Sequence, residues 1–484
     1  MPQLNAAINL EILLPEISLL AAAFLLLTVI PLTRQRTVSP LLSLISVVAS
    51  FFFICTMWNQ QQTGYFNMVT CDNFCLFAKV IFLLTCTGAV LLSRDYLVRR
   101  GMERPEYYAM MLISTAGMMF MVSSSNLMVI FIGLEIMSLP LYVLAGYFRA
   151  ELKSTEAAAK YFFMGAFASA FLLYGIALVY GGTGTTDLKQ IFMSTGIAMQ
   201  KHELFLIIGA AMVLIGFAFK IAAFPFHMWV PDVYQGAPTP VTAFFSIGPK
   251  AAGVVTLLRI FVIGFGGIFG TFELLFWVLA FFTMTIGNIM AVMQSDVKRM
   301  LAYSSIAHAG YLLVAVTAGG GEAVSAALYY LLAYSFFNMG AFAIVTIVEN
   351  KHETNSIDSY KGLAKRHPWL AIFLALFMFS LAGFPPTAGF MGKFYVFSAA
   401  VNAGLVWLVV AAVINSLISV YYYLRPVKAA FFDTVEGEQS TATQLVFGPM
   451  MVVAIIITSI GALGLGLLPS YFLKLAAASG LMMI

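Results

Sequence analysis

The sequence predicts an all-α polytopic membrane protein of about fourteen transmembrane helices. Three observations predict it: an apolar composition, a succession of apolar stretches of spanning length, and a one-sided placement of basic loop residues. Of 484 residues, 61% are hydrophobic and 10% charged. Soluble domains run near half apolar and a quarter charged. The length alone would suit several soluble domains, but a chain this apolar needs lipid as its solvent.

A helix crosses the hydrocarbon core with ~20 apolar residues. Such stretches run roughly over 10–31, 40–59, 74–93, 107–123, 126–148, 158–181, 203–226, 241–263, 271–293, 299–319, 323–348, 368–401, 404–424 and 444–468. The twelfth is too long for one straight span and holds Pro385-Pro386, so it reads as a broken helix. The ~10-residue alternating segments of an outer-membrane barrel are absent. The longest polar connections, 349–367 and 425–443, are too short for a soluble domain. The flank of the first stretch carries Glu11 and Glu16 and no Lys or Arg. A secretory signal starts positively charged, so a retained first helix is expected.

Charge sets the expected orientation. The odd-numbered loops carry Arg34, Arg36, Arg94, Arg99, Arg100, Arg104, Arg149, Lys153, Lys298, Arg299, Lys351, Lys361, Lys365, Arg366, Arg425 and Lys428, which is 16; the even loops and tails carry Lys189, Lys201 and Lys474, which is 3. Positive loops stay cytoplasmic, which places both termini outside. The net charge of +4 reflects this bias and points to no nucleic-acid partner.

Six basic residues remain: Lys79, Lys160, Lys220, Lys250, Arg259 and Lys393. A charge at mid-membrane costs ~2.5–3.5 kcal/mol on insertion scales. Lys79 and Arg259 lie near helix ends and read as snorkelling side chains. Lys220, Lys250 and Lys393 resist that reading. Lys250 is central in its helix. Lys220 precedes Pro225, and Lys393 follows Pro385-Pro386. Glu135 is the one acid near the centre of a span, and Lys160, early in the next helix, is the nearest of these six cations in sequence. A buried lysine can lose several units from a pKa of ~10.4 and become a site that gives and takes a proton. A row of such sites is a relay. A structural ion pair is the rival account of Glu135 and Lys160.

Two histidines extend the row. His227 follows Lys220 by seven residues, which on a continuous helix would place both on one face. His308 lies in an apolar span among Tyr303, Ser304, Ser305 and Tyr311. It is either a hydrogen-bonded core histidine or a shuttle, since imidazole titrates near neutrality. His202, His352 and His367 flank loops and read as solvated. Pro225 frees the carbonyl of Ile221, and Pro385 and Pro386 free those of Leu381 and Ala382. In lipid such carbonyls need partners, and paired broken helices point to transporters built from inverted repeats.

Soluble-enzyme motifs are missing: no phosphate-binding loop, no His-Glu-x-x-His and no cysteine cluster. Gly264, Gly266, Gly267 and Gly270 join two spans with no strand before them, which argues against a nucleotide site. Cys71 and Cys75 have no partners at metal-ligand spacing, and a disulfide between them is open. The chain has residues to move protons and none evident to move electrons.

Three runs carry a family resemblance: Lys220-Ile-Ala-Ala-Phe-Pro-Phe-His227-Met-Trp-Val-Pro231-Asp232-Val-Tyr-Gln-Gly-Ala-Pro238-Thr-Pro240, Gly133-Leu-Glu135-Ile-Met-Ser-Leu-Pro140, and Lys298-Arg-Met-Leu-Ala-Tyr-Ser-Ser305-Ile-Ala-His308. The chain resembles the antiporter-like subunits of respiratory complex I. Its length suits the N-type branch, without the lateral helix of the L-type; Lys393 stands where an M-type chain would carry glutamate.

The resemblance implies a proton-translocating role in NADH–quinone oxidoreductase. It implies that Glu135 and Lys160 form an ion pair beside a first half-channel, that Lys220 is the protonatable lysine of the broken seventh helix, that Lys250 connects the halves, and that Lys393 serves the second half-channel. His227 and His308 match polar axis positions. Implied divisions are 1–104 for helices 1–3, 105–263 and 271–430 for inverted repeats of helices 4–8 and 9–13, and 444–484 for the last helix and tail. No cofactor is expected in this chain. Quinone, NADH or another donor, FMN and iron–sulfur clusters belong to partner subunits. Expected partners are membrane lipid and other membrane subunits, the antiporter-like subunit M and small subunits K and J above all, in a bacterial inner membrane. A sodium/proton antiporter subunit and a membrane-bound hydrogenase subunit share the fold and are the rival readings.

Overall fold

The computed structural model describes residues 9–33, 36–352, 354–434 and 448–480. Arg34, much of the polar connection 425–443 and the start of the fourteenth expected span lie outside the described residues. The first half contains α1 (Leu14–Thr33), α2 (Ser39–Met57), α3 (Asn73–Arg99), α4 (Pro105–Ser123), α5 (Leu127–Ala145), α6 (Leu152–Thr183), α7 (Leu188–Lys201), α8 (Glu203–Ile221), α9 (Trp229–Gly236) and α10 (Thr239–Arg259). The second contains α11 (Phe269–Val292), α12 (Val297–Ala318), α13 (Gly320–His352), α14 (Pro368–Ala382), α15 (Ala388–Asn402), α16 (Val406–Phe431), α17 (Pro449–Leu467) and α18 (Pro469–Ala478).

Among the described residues, twelve helices are long and apolar enough to cross a membrane. The chain is an all-α, multi-pass membrane protein. Two expected spans fall outside that twelve for physical reasons. Glu106, Tyr107, Tyr108, Ser114 and Thr115 lower the hydropathy of α4, which is nonetheless buried along most of its length. The twelfth span is divided into α14 and α15, each 15 residues. The sequence reading missed the short α7 and α18.

Burial sorts the helices. The most apolar window of α12 is 100% buried and that of α13 94%, whereas those of α6 and α16 are 33% buried. Helices enclosed by protein can carry polar groups that lipid rejects; α12 and α13 accordingly carry Ser304, Ser305, His308, Asn338 and Glu349. Close approach depends on small residues. A Cβ on Gly287 of α11 would lie 2.7 Å from the Ala307 nitrogen, and one on Gly310 of α12 would lie 2.5 Å from the Met284 nitrogen. The two helices pack backbone to backbone at these points.

Both expected breaks are present. α8 ends at Ile221, where Ala222 takes left-handed angles (φ 63, ψ 39), and the chain resumes as α9 at Trp229. α14 ends at Ala382, Gly383 has φ 90, and α15 begins at Ala388. Left-handed residues of this kind cap helices, and the prolines that follow cannot continue them.

A small antiparallel hairpin precedes α3: β1 (Gln62–Gly64) pairs with β2 (Val69–Cys71), with Thr63 opposite Thr70. Asp72 then caps α3 by accepting from the Cys75 amide at 2.8 Å. Arg259 reaches this cap from the far end of α10, donating to both Asp72 oxygens at 2.8 Å and to Thr70 Oγ1 at 3.0 Å. Its side chain is 2% exposed. The snorkelling expected for Arg259 is therefore corrected: a local acid satisfies it, and it ties the hairpin to α10. Cys71 and Cys75 are buried free thiols.

Candidate proton-transfer site

Lys220 stands in the last turn of α8, just before the break, and is buried. Its Nζ donates to Ser138 Oγ at 2.7 Å and lies 3.4 Å from the Tyr142 hydroxyl. It also sits 5.5 Å from the Tyr142 and Phe219 ring centroids and 5.8 Å from that of Tyr161. Aromatic faces attract a cation. The partners come from one stripe of α5, since Glu135, Ser138 and Tyr142 fall at i, i+3 and i+7. Glu135 is half-buried and accepts from Ser169 Oγ of α6 at 2.5 Å.

Lys250 lies at the middle of α10, directly after Pro249, and is 2% exposed. Its Nζ donates to the Ser305 carbonyl and Oγ of α12. No acid pairs with it among the described residues. α8 and α10 pack closely near these lysines: a Cβ on Gly253, one turn after Lys250, would lie 3.8 Å from the Lys220 Cβ.

His308 follows Ser305 by one turn. Its Nδ1 is 2.5 Å from the Tyr330 hydroxyl and its Nε2 3.0 Å from the Tyr423 hydroxyl. The Tyr423 hydroxyl also hydrogen-bonds Ser304 Oγ. Next to it, Tyr422 donates to Asn288 Oδ1 at 2.9 Å, and Asn288 Nδ2 donates to the Tyr311 hydroxyl at 3.1 Å. The Tyr311 ring then faces Lys393 Nζ, 5.0 Å from its centroid. A line of polar side chains thus runs from Lys250 to Lys393 through α11, α12, α13 and α16. Sequence reading found Ser304, Ser305, His308 and Tyr311. It missed Asn288, Tyr330, Tyr422 and Tyr423, because a tyrosine in an apolar span gives no signal until its partner is known.

Lys393 answers the question raised by the second break. Its Nζ donates to the freed carbonyls of Leu381 at 3.2 Å and Ala382 at 2.8 Å, and to Ser416 Oγ at 2.9 Å. The break creates acceptors and the lysine fills them. The first break differs: Lys220 bonds a neighbouring helix, while the Phe224 amide is taken by Thr283 Oγ1 at 2.9 Å.

Several expectations need correction. Lys160 does not pair with Glu135. Its Nζ contacts Glu156 Oε1 and Asp232 Oδ2, each at 2.7 Å, and its side chain is 40% exposed. Its position early in α6 places it toward the loop end, beside α9, rather than at the depth of Glu135. His227 does not share a helical face with Lys220, because α8 ends at Ile221; it lies within the break, buried, with no hydrogen-bond partner for Nδ1 among the described residues. Lys79 does not snorkel. It is fully buried 2.7 Å from Glu16, which lies in the first turn of α1 and is equally buried. Lys298, counted among the loop charges, is buried and donates to the Ala237 carbonyl at 2.6 Å. Glu349, which opens the polar connection 349–367, is 8% exposed.

Residues 124–419 match the family model described as NADH:quinone oxidoreductase/Mrp antiporter, transmembrane. The chain belongs to this family. The matched region includes Glu135, Lys160, Lys220, His227, Lys250, His308 and Lys393. NADH-quinone oxidoreductase subunit N of Trichlorobacter lovleyi is 46% identical over 98% of this chain and 97% of its own length. Among solved structures, a chain of respiratory complex I from Thermus thermophilus with bound aureothin is 31% identical, with TM-score 0.82 over 96% of this chain and 99% of that one. A chain of the Mrp complex from Dietzia reaches the same TM-score at 23% identity, over 97% of this chain and 96% of its own; that likeness is one of fold. Family membership makes this a membrane subunit of a multi-subunit assembly. Among the described residues, no three His, Cys, Asp or Glu side chains converge as a metal site would require.

Proposed function

We propose that the chain is a proton-translocating, non-redox subunit of an NADH–quinone oxidoreductase, corresponding to subunit N. The observation that carries the reading is the buried polar line from Lys250 to Lys393, with Lys220 packed at its other end. The near-full-length similarity to subunit N supports the identity of the assembly. Each lysine is held by neutral oxygens, so it can lose its proton without stranding a buried carboxylate. Charge on one lysine repels a proton from the next through a medium of low dielectric. Glu135, on the α5 stripe that holds Lys220, would favour the protonated form there. In this reading NADH, FMN, iron–sulfur clusters and quinone are handled by partner subunits, and this chain supplies the proton path. Neighbouring subunits M, K and J, the inverted repeats of helices 4–8 and 9–13, and residence in a bacterial inner membrane belong to the same proposal.

The test is Glu135→Gln in membranes containing the assembled complex. Glutamine preserves size and hydrogen bonding and removes the charge beside Lys220. Proton pumping and coupled quinone reduction should fall severalfold, with subunit content on a native gel unchanged. Full activity would remove Glu135 from the path; loss of assembly would give it a structural role.

Orientation is tested separately. The bias of 16 basic residues against 3 predicts that a cysteine at position 361 is labelled from the cytoplasm and one at 189 from outside. Labelling of 361 from outside alone would reverse the topology.

A further inference from the structure

Lys220, Lys250, His308 and Lys393 are all buried away from the aqueous faces. A cavity of about 1150 Å³ opens at the basic-loop end and is lined by Arg99, Arg100, Arg104, Arg149, Glu151 and Glu349 among others. Glu349 is the inner acid of this group. It is 8% exposed near the end of α13. Its carboxylate accepts from the Tyr96 hydroxyl at 3.1 Å, from Thr239 Oγ1, and from Arg100 at 3.3 Å. Arg100 divides itself between Glu349 and the outer Glu151, which it meets at 2.8 Å. Lys298 also faces Glu349, and Asp296, Lys153 and Glu106 line the same cavity.

Thr239 is the first residue of α10, the helix of Lys250. Thr239, Thr242, Ser246 and Lys250 fall at i, i+3, i+7 and i+11, one face of the helix. At 1.5 Å per residue this hydroxyl stripe covers about 16 Å. α13 runs alongside with a matching face: Asn338 lies eleven residues before Glu349, and Tyr334 four before that. Asn338 Nδ2 donates to Ser246 Oγ at 2.7 Å. Asn338 Oδ1 is fully buried and has no hydrogen-bond partner among the described residues, and the buried Tyr334 hydroxyl lies close to Ser305, the residue that holds Lys250. Buried polar atoms are ordinarily satisfied, by water where protein does not reach them. The Tyr334 ring lies 5.1 Å from that of His308, so the seam ends at the relay.

We propose that Glu349 is the proton-uptake residue of this chain, passing protons from the basic-loop cavity along the hydrated Thr239–Thr242–Ser246–Asn338 seam between α10 and α13 to Lys250. One proton moves from cavity water to the Glu349 carboxylate. The carboxylate releases it into the seam, and the Lys250 amine takes up one proton at the other end. Arg100 withdraws toward Glu151 when Glu349 is protonated and returns when it is charged. The inference rests on the relay reading above.

The experiment compares Glu349→Gln, Glu349→Asp, Asn338→Leu and Lys250→Met in membranes with the complex assembled. The readouts are protons pumped per quinone reduced and subunit content on a native gel. Glu349→Gln is expected to lose most of the pumped protons, Glu349→Asp to retain them, and Asn338→Leu to lose them with the carboxylate intact. Wild-type pumping by Glu349→Gln overturns the proposal. If Glu349→Gln fails to assemble, Asn338→Leu decides: loss of pumping supports the seam, and wild-type pumping overturns it. If Lys250→Met fails to pump while Glu349→Gln and Asn338→Leu pump normally, the uptake route falls and the relay stands. If Lys250→Met also pumps normally, the relay reading falls with it.

Discussion

Lys250→Arg is expected to lower proton pumping on the order of a hundredfold, the scale at which a positioned proton donor or acceptor contributes, while the complex still assembles. The native Lys250 Nζ donates to the Ser305 carbonyl and hydroxyl, and no acid pairs with it among the described residues. Arginine keeps the positive charge and can donate to the same oxygens, but it does not lose its proton. The substitution therefore separates the presence of charge from its cycling. A permanent cation at this position would also repel protons from Lys220 on one side and from the His308–Lys393 line on the other. Pumping is read in sealed membranes against quinone reduction, with assembly followed on a native gel. Wild-type pumping would exclude a protonation cycle at Lys250.

The second large effect concerns stability. Lys79 and Glu16 form an ion pair at 2.7 Å with both side chains fully buried. Removing one partner of such a pair costs ~3–5 kcal/mol, because the remaining charge stays desolvated. Lys79→Met should accordingly deplete the subunit from the assembled complex or lower its thermal midpoint sharply. Replacing both charges, Glu16→Leu with Lys79→Met, removes the uncompensated carboxylate, and stability should return. If Lys79→Met assembles normally, the pair does not hold α1 against α3. A double variant that assembles but does not pump would move the pair into the proton path.

Much of the architecture was legible because lipid permits so few solutions. The run lengths of apolar residues marked the spans, the prolines at 225, 385 and 386 marked the two breaks, and the side chains of Lys220, Lys250, Lys393 and His308 stood out against their apolar surroundings. What failed in the sequence reading failed at helix ends and in cross-helix pairing. The periodicity that would set His227 beside Lys220 stops at Ile221. Glu16, Glu349, Lys79 and Arg259 were assigned to flanks because position along a span does not say whether a side chain faces water, lipid or protein.

The sequence by itself determined that this chain lives in a membrane, where it bends, and which buried lysines need an explanation; these are local properties of composition and backbone chemistry. The tertiary structure decided the partners. It gave Lys160 to Asp232 instead of Glu135, set Lys393 on the carbonyls that Pro385 and Pro386 release, and connected His308 to Tyr423 from a helix more than a hundred residues away. Hydrogen bonds reach about 3 Å, and which groups come that close across a bundle depends on how helices distant in sequence pack, which no single span encodes.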